Sequence, residues 1–277
     1  MQPASAVHRR RRFSRPKLLA AIWSGGVAVA AIVIDSNLGG TIVRIPSGTT
    51  ASGAACIALT IALSGCSEGA EPRQLSAAQL LGEANKTMKS LRAVTIAARL
   101  TKEDGRWGTT WMRTDLKGTC SFRSAGSTGE KLEQIRIGDT DYIRPNLKHM
   151  QVSGIDTKGR KDQKDWVKTT VDPATPADED GLTDCTRTFA SFGNAAKGKA
   201  GKIDGVPTTS LIVTDATDEG ATYTFHVAAE GKPYIYRVVY KSPDFRNVTT
   251  FSDFDTPLNV EPPKTDVMDL FDYSPFS

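Results

Sequence analysis

The chain has 277 residues, with 35 lysines and arginines, 31 aspartates and glutamates, three histidines and four cysteines, which is length enough for one large or two small domains. Seven basic residues and one acid precede position 66, so the remainder carries 28 basic against 30 acidic side chains and lacks the basic field that nucleic-acid binding draws on. Apolar residues at 39% with 24% charged argue against wholesale disorder, and with His8 near the start only His149 and His226 remain for histidine chemistry.

Two uncharged apolar stretches come first. Leu18 to Ile34 follows the basic cluster Arg9 to Lys17 and is about long enough to cross a bilayer core, which takes roughly 17 to 25 residues. Its positive flank would stay cytoplasmic and send the following chain outward. Within that flank Arg10-Arg11-Arg12-Phe13 looks like a twin-arginine export signal, and equally like an ordinary positive leader. Ala54 to Leu63 has the length of a signal-peptide core and runs into Leu63-Ser64-Gly65-Cys66. This tetrapeptide resembles the bacterial lipobox, which implies a diacylglycerol thioether on Cys66 and cleavage before it. Cys56, preceded at Gly53 by no Leu-like residue, reads as part of the apolar core. The polar run Ser67 to Pro72 suits a tether. Two export-like segments imply either a start nearer Val43 or a retained anchor at residues 18–34. Either way residues 67 to 277 are expected outside the cytoplasm. There Cys120 and Cys185, the only thiols of that part, are expected to be bridged, two separately buried thiols being the alternative.

The tether leads into a helix. Ser76 with Gln79 makes a capping-box pattern, and Leu80, Leu81, Ala84, Met88 and Leu91 recur at helical spacing. From Ala93 the period becomes two, with Val94, Ile96, Ala98 and Leu100 on one face. The turn Glu103-Asp104-Gly105 leads to a return strand over Trp107 to Thr114, followed by strands near Gly118 to Arg123, Leu132 to Ile137 and Thr140 to Arg144. Lys158 to Asp180 reads as a loop interrupted by Trp166-Val167-Lys168, and Thr186 to Phe192 as a short helix. Five more strands follow: Lys199 to Ile203, Val206 to Thr214, Ala221 to Ala228, Tyr234 to Lys241 and Asn247 to Phe254. The expected fold is mainly β (α+β), one domain over residues 75–277 after an export region (1–65) and a tether (66–74).

Motifs for chemistry are missing. There is no Gly-x-Ser-x-Gly, no Cys-x-x-Cys and no glycine-rich phosphate loop. His226 sits on the polar register of its strand and His149 in a loop, both read as surface histidines. Asp178-Glu179-Asp180-Gly181 lacks the first and last carboxylates of a calcium loop and reads as a solvated turn. Lys197 to Lys202 reads as a solvated basic edge, with a phospholipid-headgroup contact as the lesser alternative. Apolar alternation is the stronger signal, since Tyr223, Phe225 and Val227 share one face and so do Tyr234, Tyr236, Val238 and Tyr240. A large sheet with few helices to cover it either curls around a hollow or packs as a solid core.

The whole arrangement, a lipobox, a tether, a helix ending Met88-Lys89-Ser90-Leu91, and strands containing Ile137-Gly138-Asp139-Thr140-Asp141-Tyr142 and Ile203-Asp204-Gly205-Val206-Pro207, resembles the actinobacterial LppX/LprG lipoproteins, similar in fold to the carriers LolA and LolB. The resemblance implies an antiparallel barrel of about eleven strands, incompletely closed, capped by one long and one or more short helices around a cavity for acyl chains. It implies a non-enzymatic, monomeric carrier on the outer face of the cytoplasmic membrane, without cofactor, metal or nucleic acid. Its partners would be the membrane, through the lipidated Cys66 with its palmitate-type acyl chains, and a lipid or acylated ligand. A scaffold or sensor binding an envelope protein is the rival reading. Alternation selects Ile96, Leu100, Trp111, Ile135, Ile137, Tyr223, Phe225, Val227, Tyr236 and Val238 as the cavity lining.

Overall fold

The computed structural model describes residues 75–159, 161, 164–171 and 182–269. The expectations for the leader, for Cys66 and for the acidic turn at Asp178 to Asp180 lie outside the described residues. Helix α1 (Ala77–Lys89) opens on the capping box as expected: the Gln79 backbone N–H donates to Ser76 Oγ at 3.2 Å, and the Ser76 N–H donates to Gln79 Oε1 at 2.9 Å. These bonds satisfy two of the donors that a helix start leaves orphaned. Lys86 and Lys89 in its last turn complement the helix dipole, and Leu81, Ala84 and Met88 form its buried stripe.

Among the described residues twelve strands form one sheet. They are β1 (Val94–Lys102), β2 (Trp107–Thr114), β3 (Cys120–Gly126), β4 (Lys131–Ile137), β5 (Thr140–Pro145), β6 (Trp166–Thr170), β7 (Asn194–Ile203), β8 (Val206–Thr214), β9 (Thr222–Ala228), β10 (Ile235–Lys241), β11 (Phe245–Ser252) and β12 (Val267–Asp269). A short helix, α2 (Leu147–Val152), follows β5. The order β12-β6-β5-β4-β3-β2-β1-β11-β10-β9-β8-β7 leaves β12 and β7 as unpaired edges, so the sheet is not closed. Every pairing is antiparallel except β12 with β6. The mainly β, open-barrel class expected from the sequence is therefore the observed one, with one strand more.

Turn chemistry fixes the hairpins. Asp204 and Gly205, both at positive φ (48° and 85°), supply the two-residue turn between β7 and β8. Exposed Lys197, Lys199 and Lys202 line edge strand β7 and discourage pairing with another chain.

Four local expectations need correction. Residues 186–192 are irregular, not helical. Thr186 and Thr188 are exposed while Cys185 and Phe189 are buried, an alternation that suits an extended strap. His149 lies in α2, capped by the Asn146 side chain, which accepts from the His149 N–H at 2.8 Å. Strand β7 begins at Asn194, and β12 pairs with β6 where no strand was expected.

Candidate functional site

Strand register assigns each side chain to a face. On one face, called inner, Ile96 is level with Phe251, Met112, Phe122, Gln134 and Ile143 in successive strands. The next inner row holds Leu211, Phe225, Val238, Thr249, Ala98, Thr110, Ser124, Leu132 and Pro145. A further row joins Val213, Tyr223, Tyr240, Asn247 and Leu100.

Among the residues chosen by alternation, Ile96, Leu100, Tyr223, Phe225, Val227 and Val238 occupy inner positions and are buried. Trp111, Ile135 and Ile137 occupy the opposite, outer face, because Trp111 is level with Ala97 and Arg123, Ile135 with Ser121 and Tyr142, and Ile137 with Thr140. Side chains alternate between the faces along each strand, but which set turns inward is fixed by the pairing register. Tyr236 is the extra residue of a β-bulge between Ile235 and Arg237, and its ring packs edge-on against Phe254 at 5.2 Å.

Cover over the inner face is uneven. On the β8–β11 side, α1 packs against β7 and β10, Phe189 meets Phe251 at 5.8 Å, and Phe192 meets Tyr223 and Phe225 at 4.8 and 5.9 Å. Asn85 of α1 donates to Ser191 Oγ at 3.1 Å, joining helix to strap. At the border of this cluster Asp218 accepts from the Tyr223 hydroxyl at 2.6 Å. Burial, then the neighbouring Asp218 carboxylate, pushes the Tyr223 pKa well above its ordinary value. On the β2–β5 side the strap crosses at Thr183, whose Oγ1 lies 3.8 Å from Met112 Sδ, and Met112, Phe122 and Ile143 remain partly exposed, as do Thr110, Ser124 and Pro145. A cavity of about 420 Å³ also lies against these four strands, but its lining includes Trp111, Arg123, Lys131, Glu133 and Arg144 of the outer face and none of Met112, Phe122 and Ile143.

A polar cluster sets where the strap crosses. The Arg136 Nε and Gln134 Nε2 groups each donate to Asp141 Oδ1 at 2.8 Å, and all three side chains are buried. Gln134 also behaves as a strand partner for the strap, accepting from the Thr183 N–H at 3.0 Å and donating to its carbonyl at 2.9 Å. Two residues on, the Cys120–Cys185 disulfide closes a separation of 65 residues, with Cα atoms 5.4 Å apart. Thr114 Oγ1 donates to the Cys185 carbonyl beside it. The bridge is thus formed, and it lies buried at the inner face.

Met112, Phe122 and Ile143 escaped selection although the signal existed. Gly138-Asp139 is a two-residue turn pairing Ile137 directly with Thr140, so counting back from it sets Ile143 on the face opposite Ile135 and Ile137. Among the described residues no group of three or more His, Cys, Asp or Glu side chains is placed to hold a metal ion.

No known family model matches the chain, and no curated protein matches it in sequence. Among solved structures it is similar to LprF from Mycobacterium bovis, at 15% identity and a TM-score of 0.45 over 68% of this chain and 96% of that one. It is similar to the Mycobacterium tuberculosis lipoprotein LppX at 16% identity and a TM-score of 0.44, over 66% and 98% of the two chains. A LolA superfamily protein from Nitrosomonas europaea shares 11% identity at a TM-score of 0.25, over 68% and 96%. The lipoprotein group that the sequence resembles thus stands among the structures similar to this chain.

Proposed function

We propose that the protein is an extracytoplasmic lipoprotein, anchored through Cys66, that shelters a lipid or acylated molecule against the inner face of its sheet without transforming it. The observation that carries this reading is the uneven cover of that face. Its β8–β11 side is filled by the chain's own helix and strap, whereas on the β2–β5 side, where the strap crosses at Thr183 and Cys185, Met112, Phe122 and Ile143 still keep partial exposure. Each acyl methylene exposed to water costs about 0.8 kcal/mol, so a sheltering apolar surface is sufficient for carriage. Partly exposed aromatic and thioether side chains provide that surface, and Met112 adds an adaptable, polarisable contact. The strap, stapled at Cys185, would border the bound chain and keep the apolar face from collapsing onto itself.

Phe122→Glu sets a charge on this surface at a position already partly exposed, so the fold should survive while the ligand does not. Lipid extraction and mass spectrometry of the full chain purified from membranes should recover a lipid above the bulk membrane composition in the wild type and lose it in the variant. Equal lipid content in the two, with unchanged thermal melts, would refute the assignment.

A further inference from the structure

The outer face of β1–β6 is charged in a way that the soluble part as a whole is not. Register sets Arg99, Arg113, Arg123, Lys131, Arg144 and Lys168 on this face against the single acid Glu133, although residues 66 to 277 carry more acids than bases. The basic side chains are also interleaved with tryptophans. The guanidinium of Arg99 lies 4.8 Å from the ring centre of Trp107, that of Arg123 4.7 Å from Trp111, and that of Arg144 4.6 Å from Trp166.

Three of the six are already engaged or peripheral. Arg144 is paired with Glu133 at 2.6 Å, Arg113 donates to the Pro257 carbonyl at 3.0 Å, and Lys168 lies at the far side on β6. Arg99, Arg123 and Lys131 are exposed and have no carboxylate partner among the described residues. Stacking on an indole uses the face of a guanidinium and leaves its N–H edge free, which orients it for phosphate oxygens. Trp rings beside cations are the composition of a membrane interface, where an amphipathic ring sits at headgroup level.

We propose that the outer face of β1–β6 docks on the phosphate headgroups of an anionic bilayer. Six strands at about 4.8 Å spacing make a surface roughly 24 Å across, which suits a plane of headgroups better than one small anion. This goes beyond the ligand reading above and stands whether or not the inner face holds a lipid.

The test uses the full chain with Trp23→Phe, so that Trp107, Trp111 and Trp166 are its only tryptophans. Acrylamide quenching is measured with vesicles of phosphatidylcholine alone and of equal parts phosphatidylcholine and phosphatidylglycerol. The anionic vesicles should protect the tryptophans, the zwitterionic ones should not, and added salt should reverse the protection. The triple variant Arg99→Gln, Arg123→Gln, Lys131→Gln should lose the protection with its melt unchanged. Removing the same charge from edge strand β7, with Lys197→Gln, Lys199→Gln and Lys202→Gln, should keep it. Equal quenching with both lipids, loss of protection in the β7 variant, or protection by a soluble acidic polysaccharide but not by vesicles would overturn the proposal.

Discussion

Asp141 is 1% exposed, Arg136 is 7% exposed and Gln134 is fully buried, a set of groups whose transfer from water is unfavourable unless each finds partners. Their mutual bonds and those to Thr183 provide them, and they specify where the strap crosses more than they add stability. Asp141→Asn should therefore cost about 3 to 5 kcal/mol, since Arg136 would lose its carboxylate in a dry site; urea unfolding would measure it. The neighbouring disulfide constrains the unfolded chain. On the chain-entropy model, closing 65 residues stabilises by about 4 kcal/mol, so the double variant Cys120→Ser, Cys185→Ser should unfold at clearly lower denaturant.

His149 and His226 should give the fold a pH dependence whose sign follows from the direction of their shifts. Desolvation lowers the pKa of His149, opposed by Glu130, and lowers that of His226, helped by Arg237. Both groups then take a proton more readily in the unfolded chain, whose histidine value is about 6.5. Stability should be intact above that pH and decline as pH falls through it toward the lowered folded values. Denaturation midpoints at neutral and mildly acidic pH would show the decline, and His226→Gln should reduce its slope.

At the scale of elements, what was legible followed how local the signal was. The α1 boundary lay in four residues, Ser76 to Gln79, and the hairpins lay in their turns. Strand β12 draws its partner β6 from about a hundred residues away and has three residues of its own, so no local period marks it. Ala195 to Gly198 at the start of β7 carry no alternation, because an exposed edge needs none. The strap is placed by Gln134 and Cys120, far from it in sequence, which is why Thr186 to Phe192 read as a helix. For the site, alternation divided the strands into two faces, except where the bulge at Tyr236 breaks the period of β10. The structure sets Trp111, Ile135 and Ile137 on the outer face, where Arg123 stacked on Trp111 makes that large ring tolerable. The same division predicts that Val238→Trp, level with Phe225 on the filled side, destabilises by about 1 to 3 kcal/mol. A bulky residue at Ile143, partly exposed, should displace ligand instead; paired melts and lipid content would separate the two.

Across the whole molecule, the proposed roles divide between the sheet's two faces: the inner one partly filled by the chain itself, the outer one basic along β1–β6. Helix α1 begins at Ala77, so the proposed anchor at Cys66 would hold the domain within a tether of about 35 to 40 Å at full extension. Intact-mass analysis should find diacylglycerol on Cys66, and Cys66→Ala should leave an unprocessed chain; an unmodified residue 66 in the wild type would remove the anchor. The central claim concerns the inner face, and photocross-linking with a diazirine-bearing acyl lipid addresses it most directly. Peptide mapping should place the adducts on Met112, Phe122, Ile143 and their inner-face neighbours in β2–β5. Adducts confined to the outer face or the N-terminal apolar stretches, or none in the sheet, would contradict it.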